Sequence, residues 1–121
     1  MRRIRAVIAD DSPRSLAALR ALLAAWSACE VVGEAATGQG ALALIEDRRP
    51  DLALLDVRMP APDGLAITRV IKARWPEVKV VLLSLDDGYQ DEAEVAGADA
   101  FVGKVAAADQ LLPMLGALCN L

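Results

Sequence analysis

Apolar residues gather in five short runs along the chain, at residues 4–9, 30–32, 52–55, 78–83 and 100–102. Runs of this length, rich in Val, Ile and Leu and bounded by turn residues, predict β-strands. Between them the apolar positions recur at helical spacing. In the first interval Ser12 is suited to cap a helix and Pro13 to open it, and Leu16, Leu19, Leu23 and Trp26 then fall on one face. In the second, Leu42 and Ile45 mark the stripe. In the third, Asp63 can cap, Ile67, Val70 and Ile71 form the buried side, and Pro76 stops the helix. The fourth interval differs. Asp86, Asp87, Asp91, Glu92 and Glu94 crowd it and leave only Tyr89, Ala93, Val95 and Ala96 to pack, which predicts a short or mobile helix. The fifth helix is expected to begin near Asp109, with Pro113 close to its first turn.

Strands alternating with helices predict an α/β domain, a doubly wound five-stranded parallel sheet with helices on both faces. The first, third and fourth runs are nearly continuous in apolar residues, as central strands covered on both sides require. Right-handed crossovers and a switch point beside the first strand favour the order 2-1-3-4-5.

Composition narrows the class. At 121 residues, 55% of them hydrophobic, the chain is expected to form a single domain over 1–121 with a real core, and disorder is excluded. No apolar run approaches the roughly 18–20 residues of a membrane span. The basic start, Met1-Arg2-Arg3, is followed so soon by Asp10 and Asp11 that a signal peptide is not expected. Histidine is absent, which removes Ser-His-Asp and Cys-His catalysis and any phosphohistidine relay within the chain. Cys29 and Cys119 make no zinc motif and read as small buried hydrophobes of a reduced, cytoplasmic protein. The net charge of −4 is uneven: residues 1–79 sum to +2, whereas residues 80–121 carry Lys104 against seven acids. So acidic a carboxyl-terminal part disfavours direct nucleic-acid binding.

In a sheet of this topology, ligands collect at the carboxyl ends of the strands. The first strand runs into Asp10-Asp11, the third into Asp56, the fourth into Ser84, and Lys104 follows the fifth. Taken singly, each acid reads as a solvated loop end or a helix cap. Taken together they are a site. Three carboxylates on one edge repel one another, and a divalent cation with a preference for hard oxygen, Mg²⁺, relieves that repulsion. A hydroxyl and an ammonium beside the metal would neutralise a transferring phosphoryl group, with Asp56 as carboxylate nucleophile.

These residues sit in stretches that together resemble the receiver domain of bacterial two-component response regulators. The stretches are Ile8-Ala9-Asp10-Asp11-Ser12-Pro13, Val31-Val32-Gly33-Glu34-Ala35, Arg49-Pro50-Asp51-Leu52-Ala53-Leu54-Leu55-Asp56-Val57-Arg58-Met59-Pro60, Asp63-Gly64, Leu83-Ser84 and Ala96-Gly97-Ala98-Asp99. Gly33-Glu34-Ala35 and Ser84 look most like receivers linked to LuxR-type helix-turn-helix domains. The resemblance implies a flavodoxin-like or chemotaxis-regulator-like three-layer sandwich. It also implies phosphorylation of Asp56 by a sensor histidine kinase, with Asp10, Asp11, Asp56 and the backbone carbonyl of Arg58 around Mg²⁺. Lys104 would pair with the phosphoryl oxygens and Ser84 would donate to them. Phe101 would be the switch residue, and without a tyrosine hydroxyl it must work by packing. The protein would hydrolyse its own phospho-aspartate and would not be a turnover enzyme on a separate substrate. Lys104 is followed by Val105, where many receivers have a cis proline, so the geometry of that peptide is open.

Partners follow from the same resemblance: the kinase, and a downstream effector protein or a carboxyl-terminal effector domain absent from this chain. A phosphorylation-dependent homodimer is a further expectation, with neither membrane nor nucleic acid as a direct partner. The output face is expected to include the acidic fourth helix, the fifth strand and the fifth helix, within reach of Phe101. Two other readings were weighed. One is a receiver-like scaffold that works without phosphorylation, against which the complete set Asp10, Asp11, Asp56, Ser84 and Lys104 argues. The other is nucleotide binding by Gly38-Gln39-Gly40-Ala41-Leu42-Ala43, which competes with a plain turn and helix start capped by Thr37. Finally, Arg58 and Asp86 leave neighbouring strands and are expected to face each other across the mouth of the site.

Overall fold

The computed structural model describes residues 3–104 and 107–119. Within them β1 (Ile4–Ala9), β2 (Cys29–Ala35), β3 (Leu52–Asp56), β4 (Lys79–Ser84) and β5 (Ala100–Gly103) alternate with α1 (Pro13–Ala24), α2 (Gly38–Arg48), α3 (Gly64–Arg74), α4 (Gln90–Ala96) and α5 (Ala107–Leu118). The strands pair in parallel in the order β2-β1-β3-β4-β5. This is the expected doubly wound sheet.

Alternation along the strands builds two cores. Val7 and Ala9 of β1, Ala53 and Leu55 of β3, and Val80 and Leu82 of β4 face one side, packed with Ile45 of α2, Ile67 and Ile71 of α3 and Ala93 of α4. Ala6, Ile8, Leu52, Leu54, Val81 and Leu83 face the other, beneath Leu19 and Leu23 of α1 and Leu111 and Leu115 of α5. A strand covered on both faces has no polar side to show, which is why β1, β3 and β4 read as continuous apolar runs.

The first three helices start where the sequence marks them. Ser12 accepts a hydrogen bond from the Ser15 N–H at 3.2 Å, Thr37 from Gly40 at 3.0 Å and Asp63 from Ala66 at 2.9 Å. Each cap is worth about 1 kcal/mol to its helix. Thr37 therefore opens α2 as a plain helix start. The buried Gly38 behind it is there for close packing, because a side chain would overlap the Pro62 carbonyl oxygen.

Several expectations change. β2 runs from Cys29 to Ala35, longer than 30–32, because its edge position leaves polar Glu30 and Glu34 facing outward. α5 begins at Ala107 rather than near Asp109, so Pro113 lies inside the helix instead of near its first turn. Val95, expected to pack, is 82% exposed, and α4 buries only Ala93 and Ala96. Trp75, at the end of α3, is part of the core, with the Arg74 and Arg49 guanidinium carbons 4.5 and 5.5 Å from its ring centroid. Exposed Arg20 makes a bidentate contact to Glu34 at 2.6 and 2.9 Å. The Lys104–Val105 peptide lies outside the described residues.

Candidate functional site

Parallel register brings the chemistry to one edge. Ala9 is level with Leu55, Asp56 with Leu83, and Ser84 with Gly103. Asp10, Asp56, Ser84 and Lys104 therefore leave the sheet together at its carboxyl end. Backbone bonds hold the level: the Asp10 N–H donates to the Ala35 carbonyl at 3.1 Å and the Val57 N–H to the Leu83 carbonyl at 3.0 Å.

One carboxylate oxygen each from Asp10, Asp11 and Asp56 lies within 4.8 Å of the others. Asp10 and Asp56 are buried, and Asp11 is exposed. Lys104 reaches in from the end of β5. Its Nζ is 2.7 Å from Asp10 Oδ2 and 3.2 Å from Asp56 Oδ2, so one ammonium bridges the two buried acids. Their other oxygens are taken by local backbone: Ser12 N–H donates to Asp10 Oδ1 at 2.9 Å, and Arg58 N–H to Asp56 Oδ1 at 3.2 Å.

Charge does not balance in this cleft. Burial, then the neighbouring Asp10 charge, push the Asp56 carboxyl above its ordinary range, and the Lys104 ammonium and the Arg58 N–H only partly offset them. Burial also works against the charge on Lys104, but its hydrogen bond to Asp10 and the charge of Asp56 prevail and hold it above its usual value. Three carboxylates against one ammonium leave surplus negative charge among hard oxygen donors. That donor set suits Mg²⁺ rather than a softer metal.

The remaining candidates are placed less directly. Ser84 is fully buried, and its hydroxyl accepts the Asp86 N–H at 3.0 Å. Phe101 is half-buried, packs against the core beneath α3 and α4, and lines a cavity of about 300 Å³ with Gln90, Ala93 and Glu94. Arg58 is exposed at the mouth. It makes no ion pair with Asp86 among the described residues, because the Asp86 carboxylate turns back to accept the Gly88 N–H at 2.8 Å. The expected contact across the mouth is thus not formed.

Two residues at the site went unread in the sequence. Tyr89 lines the cleft with Asp11, Arg58 and Asp63, a position reached only because a single 3₁₀ turn (Asp87–Tyr89) precedes α4. Gly64 opens α3 directly against the end of β3, and a Cβ there would land on the Asp56 carbonyl oxygen. The Asp63-Gly64 pair was visible as a cap, but a contact through space has no periodicity to betray it.

The response regulator receiver domain family matches residues 6–116. The chain is 34% identical over 112 residues to the transcriptional regulatory protein DegU of Brevibacillus brevis, covering 91% of this chain and 48% of that protein. It is 33% identical over 110 residues to the response regulator protein VraR of Staphylococcus aureus, covering 89% and 53%. The chain thus spans about half the length of these curated relatives. Among solved structures, the signal receiver domain of the putative response regulator NarL from Mycobacterium tuberculosis superimposes with a TM-score of 0.92 at 29% identity, covering 99% of this chain and 98% of that one. Among the described residues no helix is long and apolar enough to cross a membrane. Sequence, strand order and the acidic cleft agree, and the chain belongs to the response regulator receiver domain family.

Proposed function

We propose that this chain is a phosphorylation-activated signalling module that accepts a phosphoryl group on Asp56 in a Mg²⁺-dependent reaction. The observation that carries the proposal is the single ammonium of Lys104 shared between Asp10 and Asp56, with Asp11 alongside. Asp10, Asp11, Asp56 and the Arg58 carbonyl would hold Mg²⁺, Asp10 chiefly through a bound water. When present, the ion supplies charge neutralisation on the phosphoryl oxygens.

The chain's own residues do the rest. Asp56 has one oxygen held by the Arg58 N–H, which orients the other for attack. That oxygen forms a bond to phosphorus as the bond from phosphorus to a donor imidazole breaks, its electron pair returning to nitrogen. The donor is a phosphohistidine of a partner sensor kinase, since this chain has no histidine of its own. Lys104 pairs with the incoming oxygens. Ser84 releases the Asp86 N–H and donates to the phosphoryl group, and Phe101 packs inward into the space that opens. Water later hydrolyses the acyl phosphate, resetting the module.

Output is proposed to leave through α4, β5 and α5. Exposed Asp86, Asp91, Glu92 and Glu94 flank exposed Leu85 and Val95, so the effector surface or domain that docks there carries basic residues around an apolar contact. Beryllofluoride titration with Mg²⁺, followed by fluorine NMR, tests the acceptor directly. A bound fluoride signal that requires Mg²⁺ and vanishes in Asp56→Asn supports it. Its absence from the wild type favours a scaffold that signals without phosphorylation.

A further inference from the structure

Away from the acidic cleft, Lys72 is the most heavily engaged cation among the described residues. Its Nζ donates at 3.0 Å to each of three acceptors: the Pro76 carbonyl, the Val78 carbonyl and Asp99 Oδ2. An ammonium has three protons, so Lys72 is saturated. Asp99 is engaged as fully. The same Oδ2 accepts the Val80 N–H at 2.8 Å, and its own N–H donates to the Val80 carbonyl at 2.8 Å. Both side chains are 21% exposed. The last turn of α3, the turn into β4 and the connection from α4 to β5 are thereby tied at one point.

The same point terminates α4. Gly97 adopts the left-handed conformation at φ +95°, and the N–H groups of Gly97 and Ala98 donate to Glu94 and Ala93 at 3.0 Å. A Cβ on Gly97 would also meet the stem of Lys72. The other end of α4 is held far less. Tyr89 caps it without a side-chain hydrogen bond, and among the described residues Asp91, Glu92 and Glu94 make no ion pair. Within the helix only Ala93 and Ala96 are buried; at its amino end the half-buried Tyr89 packs against the core without a hydrogen bond, and Leu85, on the way in from β4, is 77% exposed.

We propose that Lys72 and Asp99 form the fixed pivot of α4, which stays anchored at its carboxyl end while its amino end, joined to Ser84, swings. An apolar contact of two alanines and one half-buried tyrosine, with no directional bond, slides at less cost than a saturated ammonium and a doubly bonded carboxylate. The pivot confines any displacement at Ser84 to residues 85–96 and to Phe101, beside which Asp99 lines the same cavity. Only the trigger for the swing rests on Asp56 being the acceptor.

Two NMR measurements on the full chain test this. In hydrogen exchange without ligand, Lys72→Met is expected to speed the amides of Val80, Gly97, Ala98 and Asp99 by about tenfold or more relative to Val7 and Leu54 in the central strands. Uniform acceleration, or none, overturns the pivot. With beryllofluoride and Mg²⁺, wild-type amide shifts are expected to be large over 85–96 and small at Val78, Val80 and 97–99, and to spread into 97–99 in Lys72→Met. Large wild-type shifts at 97–99 contradict the proposal. If no amide shifts at all, including those of Val57 and Arg58, the acceptor reading fails while the exchange data still decide the pivot. Should Lys72→Met not fold, Asp99→Asn, which keeps an oxygen for the Val80 N–H, is read by the same criteria.

Discussion

Lys104 lies 94 residues from Asp10 along the chain and 2.7 Å from it in space. The same Nζ is 3.2 Å from Asp56, so one ammonium keeps two buried carboxylates in a common cleft. Lys104→Met leaves that pair uncompensated. At 17% side-chain exposure the loss is expected to be about 1–3 kcal/mol, below the range for a fully buried pair. Urea denaturation measures it, and saturating Mg²⁺ should restore part of the loss.

Asp56 works in the opposite direction. Its carboxyl is held above the ordinary value by burial and by Asp10, so the folded protein binds that proton more tightly than the unfolded chain. Stability therefore falls as pH rises from the ordinary carboxylate value through the raised one, and stays lower above it. In metal-free buffer at neutral pH, Asp56→Asn is expected to gain about 1 kcal/mol, a few degrees in melting temperature. Thermal melts of both proteins between pH 4 and 7 should converge at the acid end.

Metal should reverse that order. Mg²⁺ bound by the folded state alone raises the wild-type melting temperature in proportion to the logarithm of its concentration once the site is filled. Asp11→Ala and Asp56→Asn should show little rise. A metal response equal in all three proteins would separate ion binding from the acidic cleft.

Gly64 sets the position of Asp56. A methyl there would fall on the Asp56 carbonyl oxygen, so Gly64→Ala must move either α3 or the end of β3. The expected cost is about 2 kcal/mol or more, together with weakened Mg²⁺ binding. Calorimetry with Mg²⁺ on the folded fraction checks the second effect.

Arg58 and Asp86 separate in the structure and should separate in kinetics. Exposed Arg58 stands at the mouth through which a hydrolytic water would approach, whereas the Asp86 carboxylate is turned back to the Gly88 N–H. Arg58→Ala is expected to shorten the phospho-protein half-life by about three- to tenfold, equivalent to at most about 1.4 kcal/mol in the barrier. Asp86→Ala should shift it less. Decay curves of the phosphorylated proteins decide.

The parts legible in the sequence share a cause. β1, β3 and β4 are covered on both faces, so each is an apolar run that stops where the chain meets the cleft, and the stop is an acid or Ser84. Ser12, Thr37 and Asp63 announce helix starts because a cap is a local interaction. What was misread depends on neighbours distant in sequence. The start of α5 is hidden because the helix is apolar almost throughout, leaving Pro113 as a misleading marker. Val95 is apolar yet exposed, since α4 meets the core through alanines alone. Lys72, which no periodicity singles out, is engaged because the turns into β4 and β5 bring Val78 and Asp99 to it.

The central claim is that Asp56 is a Mg²⁺-dependent phosphoryl acceptor, and intact-mass spectrometry after incubation with acetyl phosphate tests it most directly. A single phosphoryl adduct is expected on the wild type, abolished by chelator, absent from Asp56→Asn and strongly reduced in Lys104→Met. An adduct that persists in Asp56→Asn, or a wild type that stays unmodified with Mg²⁺ present, would contradict it.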